Sequence, residues 1–534
     1  VTRTEKCRGI SVTVSFEDIR QTKTKCARVV SVPERRHRGG ASVGEHTCVD
    51  AAHRCGACAE AMAAVRSSAV VVGGGFVGLS CAIHLQRLGK HVILMEAGPS
   101  VGGLHSCSSG NAGTFAFYAN VPTQRPGLWR EAPGMILSTK GALRVAFGSH
   151  LTKMVPWCLG ALASCAPSEV RKTALALGTL LRHAEAGYND AWEHCGIDID
   201  GEMGIYAPNK ATACDAFAAR RGYLLLQKDV HNQNSQSAAA LRREGWSGGS
   251  LKMEALDQSG VRGLEPHLSY DVTKGGAWWF EDGWFLKNPR SLLRAMRDGF
   301  VAKGGEIRCG DFGRVESVAH GTTVGSVRLT MRDGTNTETN TAVIAAGAHS
   351  ANLAKQCGDH LPLDTERGYS VQWSSCVPET ETEKTSPPAL TRPVCSSEGG
   401  FIVSPMAGGV RAAGLVELGG IELGPVSKRF TQLDLATRAL FDPDAFAFGE
   451  RDTQNDWLGF RPTLPDALPV IGKSSKFENV LYAFGHQHIG WTLGGITGRV
   501  VAAMAVGKNP GVDLDPFSPK RFASKAWWRL FASL

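Results

Sequence analysis

The chain has 534 residues, more than one hydrophobic core usually organises, so two or three domains are expected. At 43% hydrophobic and 20% charged residues with 63 glycines, its composition is globular and excludes a disordered, collagenous or coiled-coil chain. The net charge of +8 is concentrated at the start: residues 1–66 hold 12 Lys/Arg against 7 Asp/Glu, and the nearly neutral remainder offers no basic groove for nucleic acid.

Residues 1–66 carry five cysteines, many arginines and no sustained apolar periodicity. They read as a disordered leader or upstream translated sequence ahead of Met62. His46, Cys48, His53, Cys55 and Cys58 include one Cys-x-x-Cys but no second pair, so no metal site is expected. The acidic residues make this segment a poor transit peptide. Fifteen cysteines in the whole chain, odd in number and scattered, read as reduced intracellular thiols. The expected location is intracellular and cytoplasmic. The final Ala532-Ser533-Leu534 lacks the basic middle residue of a peroxisomal signal, and mitochondrial or peroxisomal locations are left open.

Residues 67–86 are twenty positions without Asp, Glu, Lys or Arg, long enough on length alone for a membrane span. Four glycines at 73, 74, 75 and 78 interrupt the run, and a strand, turn and helix explain it better, so no transmembrane segment is expected. Ala69-Val-Val-Val72 is a buried parallel strand entering Gly73, Gly75 and Gly78, a GxGxxG frame. The first glycine allows the tight turn, the second a close approach of pyrophosphate, and the third helix-on-strand packing. The helix that starts there, beginning with Phe76 and Val77, directs unpaired N–H groups at the phosphates. Gly89 ends that helix, His91-Val-Ile-Leu-Met95 is the second strand, and Glu96 with Ala97 follows it. A carboxylate at Glu96 can accept both ribose hydroxyls and disfavours a 2′-phosphate. The unit predicts dinucleotide binding and leaves NAD and FAD unseparated.

Further along, amphipathic helices are predicted over 170–194 and 289–302. A nucleotide-type fold resumes with strands near 305–309, 327–331 and 341–348. The last ends in small residues, Ala346 and Gly347, suited to a second close approach to a cofactor. Strand-like runs occupy 368–373, 400–405 and 410–415. A strand at 479–484 and a glycine-punctuated helix start follow. The rich stretch of Thr, Glu and Pro at 378–388 reads as a surface loop. The domains expected are a leader, 1–66; a nucleotide-binding domain in three pieces, 67–110, 301–360 and 456–512; a second domain in two pieces, 111–300 and 361–455; and a tail, 513–534. Two interruptions are not the layout of a simple NAD dehydrogenase.

Four stretches resemble the D-amino acid oxidase-like flavoproteins, in particular bacterial D-amino acid and D-hydroxyproline dehydrogenases. They are residues 70–98; Ser109-Gly-Asn-Ala-Gly113; Leu363-Asp-Thr-Glu-Arg-Gly-Tyr369; and Gly459-Phe-Arg-Pro-Thr-Leu-Pro-Asp466 with Pro469-Val-Ile-Gly472 and Gly485-His-Gln-His-Ile-Gly-Trp-Thr492. The resemblance implies an α/β, α+β two-domain flavoprotein, with a Rossmann-like FAD-binding domain interrupted by a mixed-sheet substrate domain. It implies a D-amino acid or a secondary, cyclic or N-substituted amino acid as substrate, oxidised to its imine by hydride transfer from Cα to flavin N5. Oxygen, a quinone or a carrier protein would accept the electrons. Asn111, Ala112 and Gly113 should lie near the flavin, Gly485, His486 and Gly490 beside its pyrimidine end, and Val315, Trp491 and Thr492 among the cofactor-binding residues. Arg461 is implied as the fork that binds the substrate carboxylate, and Tyr369 as an active-site wall or donor. His486 and His488 are expected to be structural. Gln487 stands where relatives often have glycine. Gly459 stands where covalent-flavin relatives have cysteine, so FAD is expected to be noncovalent. A flavin-binding protein without catalysis is the rival reading.

Overall fold

The structure, a computed structural model, describes residues 3–7, 10–14, 68–128, 130–131, 134, 141–146, 150–200, 217–246, 251–374 and 390–523. The chain divides into two units, 1–59 and 60–534. In the first, strands Arg3–Cys7 and Ile10–Val14 pair antiparallel. Disorder was expected there, and the difference has a local cause: Ile10, Val12 and Val14 alternate with Ser and Thr at the strand period. The rest of the leader, with its histidines and cysteines, lies outside the described residues, as do the loop at 378–388 and the last residues of the tail.

In the second unit, six strands form one sheet in the order Glu306–Cys309, His91–Glu96, Ser68–Val72, Ala342–Ile344, Val480–Phe484, Val470–Lys473. The first five are parallel and the last is antiparallel. Strands with apolar side chains on both faces, such as Ser68–Val72, need cover on both sides. Helix Phe76–Arg87 supplies it on one face and is itself crossed by helix Gly490–Ala505. The crossing is close because Gly498 faces the backbone of Ser80, where a Cβ would come within 2.6 Å of a carbonyl carbon. Among the described residues, no helix is long and apolar enough to cross a membrane.

A second, nine-stranded mixed sheet runs Trp457–Thr463, Asp364–Ser374, Gly409–Leu418, Phe401–Met406, Val394–Ser396, Tyr223–Leu226, Ala277–Phe280, Met253–Leu256, with Leu143–Val145 joined to Gly409–Leu418. Residues 457–463 were expected in the nucleotide-binding fold. They are instead the edge strand of this sheet, held antiparallel to Asp364–Ser374 with Arg461 opposite Glu366. The helix expected over 170–194 is two helices, Pro167–Leu181 and Ala184–Cys195, broken at 182–183 so that the second can pack on Gly490–Ala505. Helix Pro289–Ala302 keeps its predicted bounds, with Asn288 as its cap.

The close helix crossing makes a direct prediction. Gly498→Val should cost about 1–3 kcal/mol by overpacking, read as a lower Tm in thermal unfolding followed by circular dichroism. Gly263→Ala, with no atom within 4 Å of the new Cβ, should be neutral or stabilising by comparison. Equal Tm values for the two variants would contradict the crossing.

Candidate active site

The residues expected to bind the nucleotide gather at the carboxyl edge of the parallel sheet, where open α/β sheets place ligands. The Gly73–Gly78 turn follows strand Ser68–Val72, Glu96 ends the adjacent strand, Ala346 and Gly347 follow the strand on the other side, and Gly485 follows Val480–Phe484. Gly73 has φ +111°, and a Cβ there would fall 2.4 Å from the Ala345 carbonyl oxygen. A Cβ on Gly78 would fall 1.9 Å from the Gly73 carbonyl oxygen, so helix and turn can meet only without side chains. Gly75 is different: its space is bounded by the hydroxyls of Ser106 and Ser108. The Phe76 N–H donates to Ser108 Oγ at 3.0 Å.

Glu96 is buried, and its two oxygens accept N–H bonds from Gly74 and Gly98, each 2.7 Å; His105 Nε2 stands 3.0 Å from Oε1. These bonds hold the carboxylate beside the glycine turn. Ala97 is exposed just beyond it. Val315 begins a strand after Gly313, whose Cβ would lie 2.5 Å from the Glu96 carbonyl oxygen, so this segment also borders the acidic end.

At the far side, Gly485 has φ +84° and Gln487, without glycine's freedom, has φ +49°. The Gln487 N–H is held by the Pro462 carbonyl at 2.9 Å, while its side-chain Nε2 is buried without a partner among the described residues. The Trp491 indole N–H is likewise buried and unpaired. A helix start aimed at the edge of the sheet, a turn that excludes side chains, a buried carboxylate and two orphaned side-chain donors fit a flavin dinucleotide.

Several predicted contacts are backbone contacts at most. The Phe76 ring packs on Trp491 at 4.4 Å, and Thr492 Oγ1 accepts the Ala116 N–H at 2.9 Å, so these side chains are engaged within the protein. His486 is buried against Thr497 Oγ1 at 3.0 Å, and burial lowers its pKa to about 3. His488 reaches open space, yet the surrounding protein and the Arg461 charge lower its pKa to about 4. Both rings are neutral at neutral pH.

The segment 104–113 joins the two halves. Leu104 accepts the Trp457 indole N–H at 2.6 Å, Cys107 donates its thiol to the Phe460 carbonyl at 2.6 Å, and Asn111 presents its carbonyl to Arg411 at 3.0 Å. Asn111 Oδ1 also caps the Gly113 N–H at 2.6 Å, which shapes the turn through Ala112. Arg461 lies across Gly368, where a Cβ would come within 2.4 Å of the guanidinium carbon. Its Nη1 donates to Leu415 O at 2.7 Å and Nη2 to Gly414 O at 3.2 Å. Leu415 has φ +58° at a bulge in the sheet, which aims its carbonyl at the guanidinium. Glu366, cross-strand from Arg461, is buried, and burial raises its pKa against the pull of Arg461.

Tyr369 does not join this face. Side chains alternate along a strand, and Tyr369 falls on the side opposite Gly368. Its hydroxyl donates to Glu417 Oε1 at 3.0 Å and its ring packs edge-on against Phe430 in the core under helix Ser427–Arg438. Tyr369 is a core residue and not an active-site wall. Sequence reasoning missed Ser108, Cys107 and Glu366, which have no motif of their own; the strand parity of Glu366 with Gly368 was the available signal.

Residues 68–504 match the family model described as FAD dependent oxidoreductase, DAO, and the chain belongs to this family. It is an FAD-dependent oxidoreductase. The chain is 30% identical over 463 residues to a D-amino-acid oxidase of Bradyrhizobium diazoefficiens, covering 85% of this chain and 98% of that protein. It is 25% identical to a D-amino acid dehydrogenase of Rhizorhabdus wittichii, covering 85% and 99%. A glycine oxidase of Geobacillus kaustophilus shares the fold with a TM-score of 0.57 at 21% identity, covering 85% of this chain and 98% of that one.

Buried neutral histidines set a pH dependence. His84 Nε2 donates to Gly187 O at 2.9 Å, and burial lowers its pKa to about 4. The unfolded chain binds protons below its ordinary value near 6.5, whereas folded His84 and His486 resist protonation until about 4 and about 3. Their stabilisation is complete above pH 6.5 and is lost as pH falls through that window. Tm should therefore decline from pH 6.5 to pH 4, and less steeply in His84→Gln. An unchanged slope in the variant would contradict the assignment.

Proposed function

We propose that the protein oxidises a D-amino acid or a secondary amino acid to its imine. The observation that carries this reading is Arg461, a guanidinium set on the sheet face between Gly368 and the segment 104–113. Its described hydrogen bonds go to two neutral carbonyls. Those carbonyls fix the plane of the fork, and a planar carboxylate suits the fork as a bidentate partner. Burial raises the Glu366 pKa, which weakens its competition for Arg461. Burial keeps His486 and His488 neutral, so neither adds a charge of its own to this face. Bound FAD supplies the acceptor for the hydride leaving Cα. The protein's part is positioning and exclusion of water, and no dedicated base is needed.

Two further readings follow from the same residues. Gly459 carries no thiol, which supports noncovalent FAD. Eight cysteines between Cys81 and Cys395 are free thiols, which supports a reducing, intracellular setting.

Arg461→Ala should lower kcat/KM by about thirty- to several-thousand-fold, the equivalent of roughly 2–5 kcal/mol for a buried charge-assisted pair. Arg461→Lys should restore only part, because an ammonium lacks the fork. FAD content should stay normal, and an amine substrate without a carboxylate should be turned over as poorly as before. Equal losses on both substrates would make Arg461 a structural residue. Acid precipitation should leave the yellow colour in the supernatant; colour in the pellet would overturn noncovalent binding.

A further inference from the structure

A cavity of about 190 Å³ lies between the start of helix Pro289–Ala302 and the sheet face, bordered by Lys287, Arg290, Arg294, Gln372, Arg411 and Asn455. Four of these are cations. None of the four has a carboxylate within ion-pair distance among the described residues. Arg411 is only 8% exposed, and its partners are neutral: Nη1 donates to Asn111 O at 3.0 Å, and Nε and Nη2 to Gln372 Oε1 at 3.3 and 3.0 Å. Arg290 is held the same way, by Ser109 O at 3.3 Å and Asn455 Oδ1 at 3.4 Å. The carboxylate felt by Arg290, Asp452, is engaged by the Asn455 side chain at 2.6 Å.

Four like charges facing one cavity repel, and a desolvated guanidinium without a counter-charge is costly. Burial and the neighbouring Arg290 accordingly lower the Arg411 pKa to about 10. Neutral acceptors hold the arginines in place without cancelling their charge, which is the arrangement that leaves charge available to an incoming anion. Gln372, bonded to Arg411, stands four residues from Gly368, under Arg461, on the same face of strand Asp364–Ser374. At about 3.3 Å per residue the two positions are about 13 Å apart. One carboxylate cannot occupy both, while one molecule carrying two can.

We propose that this cavity binds a second carboxylate of the substrate, remote from the reacting carbon, so that the enzyme takes amino acids bearing an additional acidic group. The inference rests on the reading of this face as the amino acid site. Its test needs no turnover. Isothermal titration of the FAD-bound protein would compare straight-chain dicarboxylates, succinate through pimelate, with monocarboxylates of the same length. A dicarboxylate of the right length should bind at least about tenfold more tightly than its monocarboxylate, and added salt should erode the difference. Arg294→Gln, at an exposed position, and Lys287→Gln should each remove most of that advantage and leave monocarboxylate binding unchanged. Equal affinity for mono- and dicarboxylates, or an advantage that survives both substitutions, would overturn the proposal. A dicarboxylate advantage in a protein whose flavin no amino acid reduces would leave the cavity assigned and sink the oxidation reading instead.

Discussion

The contact between Gly73 and Gly78 is the constraint on which the site depends. A Cβ on Gly78 would stand 1.9 Å from the Gly73 carbonyl oxygen, and one on Gly73 would strike Ala345. Only with both side chains absent can the first strand turn into its helix at the carboxyl edge of the sheet. That turn aims the helix start into the space bordered by Glu96, Gly347 and the Gly485 loop. It also places the Phe76 N–H where Ser108 can receive it, which ties the segment 104–113 to the nucleotide-binding half. The same segment is bonded to the second sheet through Trp457, Phe460 and Arg411. The parallel sheet's carboxyl edge and the face of the mixed sheet that carries Arg461 are thus tied together by one short stretch of chain.

The legible part of this architecture was the part written in backbone requirements. Gly73, Gly75, Gly78 and Glu96 carry their geometry in their spacing, and the strands around them are short, apolar and β-branched. What could not be read was pairing between distant segments. Residues 457–463 lie just before the last nucleotide-fold strands in sequence yet pair with Asp364–Ser374, because a strand's partner is decided by the whole sheet and not by its neighbours along the chain. That pairing also decides sides: Gly368 and Arg461 share a face, and Tyr369, one residue on, is turned into the core. The break between 181 and 184 was hidden for a similar reason, since nothing in the sequence there forbids helix and tertiary packing of Ala184–Cys195 decides it. The cationic cavity draws on residues near 290, 372, 411 and 455, so no local motif could announce it.

The electrostatics of the site follow one pattern. Cations are held by neutral carbonyl and amide oxygens: Arg461 by Gly414 and Leu415, Arg411 by Asn111 and Gln372. The histidines beside them are neutral, and Glu366, cross-strand from Arg461, is pushed by burial towards its protonated form. Such a site is preorganised for an anionic molecule and costs little rearrangement when one arrives. The fold alone would serve many flavoproteins; this distribution of charge is what points to an amino acid.

The central claim is that this face delivers an amino acid to the flavin for oxidation, and anaerobic mixing of the purified FAD-bound protein with D-amino acids tests it most directly. The visible flavin band should bleach, faster with carboxylated amines than with amines lacking the carboxylate, and the imine should appear as its hydrolysis products, ammonia and a carbonyl compound. A yellow protein whose spectrum no amino acid bleaches would contradict the account and leave a flavin-binding protein without this activity.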